Sequence, residues 1–133
     1  MIVRATLPAP LERLRRRSVE DANVGMPAHL TLLYPFVEPM ALEPSIREQL
    51  ASIGRSHAPI DYRLVGRAAG FEFVPHLTIA EGAAIDDLSV VRSPAWDSLP
   101  ATGRAEGIEV IAEDRGGRWR LRWRIRLGRG APR

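Results

Sequence analysis

The sequence predicts an α+β protein with mainly antiparallel sheets. Strand and helix patterns follow one another in the coarse order β-α-β-α-β-β-α-β-β, the last two strands read as a hairpin, and no low-complexity linker divides the 133 residues. Ile2 to Leu7 is expected to be a short strand that Pro8 and Pro10 stop. Pro10 then fits the first turn of a helix reaching about Ser18, with Leu11 and Leu14 inward and Arg13, Arg15, Arg16 and Arg17 on a solvated face. Ala28 to Val37 is apolar and β-prone. Pro44 to Ile53 is the clearest helix, because Ile46, Leu50 and Ile53 recur at helical spacing and Gly54 follows as a stop. Ile60 to Val65 and Phe71 to Ala80 read as strands, and Asp86 and Asp87 open a short helix that runs through Val91 and breaks at Pro94.

Arg104–Ala112 and Arg118–Leu127 form the expected hairpin, with Asp114, Arg115, Gly116 and Gly117 as turn residues. Strict alternation in the last strand sends Trp119, Leu121, Trp123, Ile125 and Leu127 one way. Arg118, Arg120, Arg122, Arg124 and Arg126 go the other way. Residues 128–133 read as a frayed end.

Length suits one domain, or two small lobes sharing a core. With 45% hydrophobic and 26% charged residues the composition is that of a globular protein. The absence of cysteine excludes disulfides, thiolate metal sites and a cysteine nucleophile, and is compatible with a reducing cytoplasm. No apolar run has the length of a membrane span, and MIVRATLPAP lacks a signal-peptide core, so a soluble cytoplasmic protein without a membrane partner is expected. All basic residues are arginine, which removes lysine-dependent chemistry such as Schiff bases and Walker-type phosphate loops. Residues 115–133 hold eight arginines and no acid, a basic tail on a mildly acidic body. Such asymmetry favours an anionic partner, although the base composition of the gene would produce the same lysine deficit.

The most informative feature is an internal echo. Pro27-Ala28-His29-Leu30-Thr31-Leu32 and Pro75-His76-Leu77-Thr78-Ile79 both place His-Leu-Thr-aliphatic in an expected strand, although His-x-Thr should arise by chance only about once in several hundred positions. In a strand, residues i and i+2 share a face and lie roughly 7 Å apart. Each copy therefore sets an imidazole beside a hydroxyl, with Leu30, Leu32, Leu77 and Ile79 directed into a core. If the two fronts oppose across a cleft, they suit a phosphodiester. The hydroxyls can bond its non-bridging oxygens while one imidazole takes a proton from the nucleophile and the other protonates the departing oxygen. Two histidines also suit zinc, but catalytic zinc normally needs three protein ligands and no third His or carboxylate sits at ligand spacing from either motif. No metal and no cofactor are expected. His57 lies in a polar turn and is read as incidental, and Tyr34 and Phe36 as packing residues.

GMPAHLTLLYPFVEP, FVPHLTIAEG and the later GGRWRLRWRIRLG resemble the two-histidine (2H) phosphoesterase superfamily, in particular its bacterial 2′-5′ RNA ligase branch. The resemblance implies one bilobal, pseudo-twofold domain over residues 1–133, with lobes of about 1–67 and 71–127 around a central cleft. It implies metal-independent phosphodiester chemistry on RNA ends or cyclic nucleotides: opening 2′,3′-cyclic phosphates, or making and cleaving 2′-5′ linkages. His29 and His76 would be the acid–base pair, and Thr31 and Thr78 the phosphate-binding hydroxyls.

Two features depart from that pattern. Where several members carry an arginine after the second motif, Ala80 and Glu81 stand here, which argues against ligase or long-RNA activity. Between Val65 and Phe71 only five residues intervene, too few for the strand–helix unit that symmetry expects before the second motif. A narrower second sheet is expected. Either a dimer covers the gap, or a monomer keeps an open cleft and is a weak enzyme or an inactive RNA- or nucleotide-binding module. The comb Arg118, Arg120, Arg122, Arg124 and Arg126 is a candidate anion or RNA surface, against which stands pairing with Glu106, Glu109 and Glu113.

Overall fold

The structure, a computed structural model, describes residues 1–66 and 76–128. Its strands are β1 (Ile2–Arg4), β2 (His29–Thr31), β3 (Ile60–Leu64), β4 (Ala101–Ala105), β5 (Gly107–Glu113) and β6 (Trp119–Arg126). Its α-helices are α1 (Ala9–Ser18), α2 (Glu20–Asn23), α3 (Pro44–Ser56) and α4 (Leu88–Val91), with 3₁₀ turns at Pro39–Ala41, Gly82–Ile85 and Pro94–Ser98. Among the described residues the strands form a four-stranded sheet in the order β2-β1-β5-β6 and a two-stranded sheet β3-β4, with every pairing antiparallel. The expected α+β class is what the fold shows. No helix among the described residues is long and apolar enough to cross a membrane.

The four-stranded sheet is two-faced because side chains alternate along each strand. Val3, Ile108, Val110 and Ile125 are buried on one face together with Leu50 of α3, and Leu30 and Trp123 pack against them. The line that α3 buries is Leu50 and Gly54, with Ile46 half-buried; Ile53, expected inward, is 54% exposed. Gly54 does not stop the helix, which continues to Ser56. A Cβ on Gly54 would lie 2.7 Å from the Arg126 carbonyl oxygen, so glycine serves the close approach of α3 to β6.

A second core lies around α1. Leu11 and Leu14 are buried with Val90 and Ala95, and Ile79, Ala80, Trp96 and Leu99 pack on them. Pro10 does sit in the first turn of α1, and the order acid first (Glu12), base last (Arg15, Arg16, Arg17) suits the helix dipole. Arg15 is not on a solvated face: it is 3% exposed, in the same stripe as Leu11, Leu14 and Ser18.

Three strand expectations are corrected. Ala28–Val37 forms a strand only over His29–Thr31, and Leu32 beyond it is 48% exposed instead of entering a core. The run Arg104–Ala112 breaks at Glu106, so that β4 pairs with β3 while β5 joins the hairpin. At Gly107 a Cβ would lie 2.6 Å from the Ile125 carbonyl oxygen, a crossing only glycine permits. Residues 76–80 are not a strand; the rest of the Phe71–Ala80 expectation lies outside the described residues, as do residues 129–133 of the tail. The hairpin turn is as expected, with Gly117 at φ +73° and the Asp114 carboxylate accepting from the amides of Gly116 (2.8 Å) and Arg118 (3.1 Å).

Candidate active site

The sheet face opposite α3 carries the first motif. The register sets Thr31 against Ile2 and His29 against Arg4, and Ile2 also faces Glu109. Cross-strand partners share a face, so His29, Thr31, Arg4 and Glu109 lie on one side of the sheet. Leu30 goes to the core side, as its place in the alternation requires. The edge strand β2 is thus oriented by the burial of one leucine and by its ladder to β1.

His29 is half-buried. Its Nδ1 lies 2.8 Å from the carbonyl oxygen of Pro27. A carbonyl only accepts, so Nδ1 carries the hydrogen and donates it. In the neutral ring Nε2 is then the nitrogen with the lone pair.

A cavity of about 830 Å³ opens over this face, within the size range of small-molecule sites. It is lined by His29 and Thr31 from the first motif and by Thr78 from the second, so one volume receives side chains far apart in sequence. Thr31 and Thr78 are both exposed. His76 is exposed too, and it is not among the described residues that line the cavity. The second motif is held by Glu81. Its amide donates to the Ser18 carbonyl at the end of α1 (3.1 Å), and its carboxylate accepts from the Glu20 amide at the start of α2 (3.1 Å). Glu81 lines the cavity, but one of its oxygens is occupied in fixing this segment.

Sequence reasoning misplaced three residues of this cavity, Arg15, Trp119 and Tyr34. Arg15 lines it, and the signal was present: Leu11, Leu14, Arg15 and Ser18 are one helical stripe. Its Nε donates to Glu12 Oε2 (3.0 Å), and its Nη2 to Glu12 Oε1 (3.2 Å) and to the Met26 carbonyl (3.0 Å). Burial alone would raise the Glu12 pKa, but hydrogen bonds from Arg15 and Arg16, with their charges, hold it below the usual carboxylate value. The second residue is Trp119, which also lines the cavity. Tyr34 lines it as well and is 78% exposed, so it is not a packing residue; Phe36 packs against the first core.

Trp119 reaches the cavity because β6 is bulged. Glu109 pairs with Arg124 and Val110 with Trp123, but Ile111 pairs with Leu121, leaving Arg122 over. The extra residue flips the alternation. Trp123 and Ile125 face the α3 core, while Leu121 and Trp119 share the face of Ile111 and Glu113. The five arginines therefore do not form one comb. Arg124, opposite Glu109, and Arg120, opposite Ala112, lie on different faces. Arg124 donates to Glu109 (2.8 Å) and Arg120 to Asp114 (2.8 Å), whereas none of the ion pairs among the described residues uses Arg118, Arg122 or Arg126. Of the expected glutamate partners, Glu106 pairs with Arg104 instead.

No group of three or more His, Asp or Glu side chains among the described residues is placed to hold a metal ion. Residues 3–72 match the family described as the 2′-5′ RNA ligase superfamily, a span that includes His29 and Thr31 and ends before His76 and Thr78. That span is more than half of the 133 residues, and the chain belongs to this superfamily. No curated protein matches the sequence.

Proposed function

We propose that this member of the 2′-5′ RNA ligase superfamily is a metal-independent phosphodiesterase that opens 2′,3′-cyclic phosphates or cleaves 2′-5′ linkages in RNA ends or nucleotides. The observation that carries the reading is the convergence of His29, Thr31 and Thr78 on one cavity of nucleotide-compatible size. Thr31 and Thr78 would donate to the non-bridging oxygens of the phosphate. His29 works through Nε2, since Nδ1 is committed to the Pro27 carbonyl, and that bond also steadies the imidazolium once a proton has been taken. His76 completes the relay. One imidazole takes the proton of the attacking water as its oxygen bonds to phosphorus, and the other gives a proton to the ribose oxygen as its bond to phosphorus breaks. Support for His76 is its place two residues before Thr78 in a motif that repeats the first.

A second reading is an inactive nucleotide-binding relative of the same fold, working as a cytoplasmic monomer or dimer. It is favoured by one observation: His76 is not among the cavity-lining residues. Hydrolysis of 2′,3′-cyclic mononucleotides in excess EDTA separates the two. The enzyme reading expects turnover that His29→Ala and His76→Ala each reduce at least about 100-fold, the scale of a lost general acid or base. Nucleotide binding without turnover in the wild type would favour the binding module. Turnover untouched by His76→Ala would remove that residue from the mechanism.

A further inference from the structure

A guanidinium buried beside an open cavity calls for an account of each of its nitrogens. Arg15 has a side chain 4% exposed. Nε and Nη2 are engaged by the two Glu12 oxygens and the Met26 carbonyl. Nη1 makes no hydrogen bond among these contacts, yet no buried side-chain nitrogen among the described residues lacks a partner. Nη1 is therefore not sealed from open space, and the cavity that Arg15 lines is the one holding His29, Thr31 and Thr78.

The link to His29 is short. The Met26 carbonyl receives Arg15, and the next carbonyl, that of Pro27, receives His29 Nδ1. Two consecutive peptide groups thus fix the guanidinium and the imidazole relative to one another. Glu12 grips the other edge of the guanidinium in a two-point pair, so the fork is held before any ligand arrives, which removes much of the ordering cost of binding.

We propose that Arg15 is the anion-binding residue of this cavity, its Nη1 donating to a non-bridging oxygen of a single phosphoryl group beside His29. It would do what an arginine after the second motif would otherwise do, from α1 instead of from the Ala80–Glu81 position. The rest of the lining sets the size of the anion. Among the described lining residues Arg15 carries the only guanidinium, while Asp21, Glu38, Glu81 and Glu113 border the same volume. One phosphoryl group is accommodated and a polyphosphate is repelled.

This rests on the phosphodiester reading of the cavity, and the test is one of binding, so it does not depend on turnover. Isothermal titration of the full chain with 2′-AMP, ATP and adenosine gives the contribution of phosphate as a ratio of affinities. The wild type is expected to bind 2′-AMP at least about tenfold more tightly than adenosine, the scale of a charge-assisted hydrogen bond, and ATP no more tightly than 2′-AMP. Arg15→Gln should bring the 2′-AMP to adenosine ratio near one while adenosine affinity is kept. Since Arg15→Gln leaves Glu12 half-paired and can fail to fold, Glu12→Gln with Arg15→Met removes both partners at once, and Glu12→Gln alone is its control. Loss of the ratio in the double variant but not in Glu12→Gln supports the proposal. A ratio that survives in the folded double variant overturns it and leaves the phosphodiester reading standing, and a wild type with no preference for 2′-AMP overturns both.

Discussion

The sheet that presents His29 is closed by an ion triad whose response to mutation follows from its exposure. Glu109 on β5 has a side chain 4% exposed, and it accepts from Arg4 Nε and Nη2 and from Arg124 Nε and Nη2 at 2.8–3.2 Å. The two arginines keep 51% and 63% of their side chains in contact with solvent. Arg124→Ala or Arg4→Ala alone leaves the buried carboxylate with one guanidinium and should cost about 0.5–1 kcal/mol, the scale of a partly exposed ion pair. Removing both leaves a buried carboxylate with neither guanidinium, which costs about 3–5 kcal/mol. The single substitutions sum to about 1–2 kcal/mol, so the coupling in the cycle is expected at about 2–3 kcal/mol. Urea unfolding of the wild type, both single variants and the double variant at pH 7 measures it, provided the four m-values agree. Additivity within about 0.5 kcal/mol would refute the reasoning and show that Glu109 is rehydrated when either partner leaves.

Two further outcomes are expected. Gly54→Ala should destabilise by about 1–3 kcal/mol in thermal or urea unfolding, although alanine is the better helix former by about 1 kcal/mol, because the new Cβ meets backbone that cannot rotate away. Its contacts would be 2.7 Å to the Arg126 carbonyl oxygen and 2.8 Å to Ile125 Cγ2. The Asp114 carboxyl is lowered from 3.8 to about 2 by the hydrogen bond from Arg120, with further hydrogen bonds from the Arg118 and Gly116 amides. A depressed carboxylate stabilises the fold fully above its unfolded pKa and loses that contribution as pH falls through the folded value, so the hairpin should keep this contribution from neutrality down to about pH 3.8 and lose it progressively between 3.8 and about 2. Carboxyl-carbon NMR titration of Asp114 checks the midpoint, and Arg120→Ala should move it upward.

What the sequence made legible was whatever one strand or one helix decides by itself. His29 and Thr31 share a face because alternation requires it, and Leu30 between them goes to the core. The α3 helix shows its apolar spacing, though the line it buries runs through Gly54 instead of Ile53 because the neighbouring β6 backbone comes within reach only at a residue without a side chain. What depends on pairing between segments was not legible. The flip of Trp119 into the cavity is made by one unpaired residue at Arg122, and nothing in a perfectly alternating Trp-Arg strand announces it. Arg15 was obscured for a different reason: its charge suggested solvent, whereas its position four residues after Leu11 placed it inside. A helical stripe outranks residue type when a carboxylate such as Glu12 is one turn away to share the charge.

The two motifs are held by unlike means, and α1 is the element they have in common. The first is a rung of a sheet, with β1 between β2 and β5 and Leu30 in the core. Among the described residues the second has no ladder; it is placed by the Ile79 and Ala80 contacts to the α1 core and by the two hydrogen bonds of Glu81 at the junction of α1 and α2. From the same helix, Arg15 reaches the Met26 carbonyl just ahead of His29. Both contacts therefore come from one turn of α1, from Arg15 to Ser18.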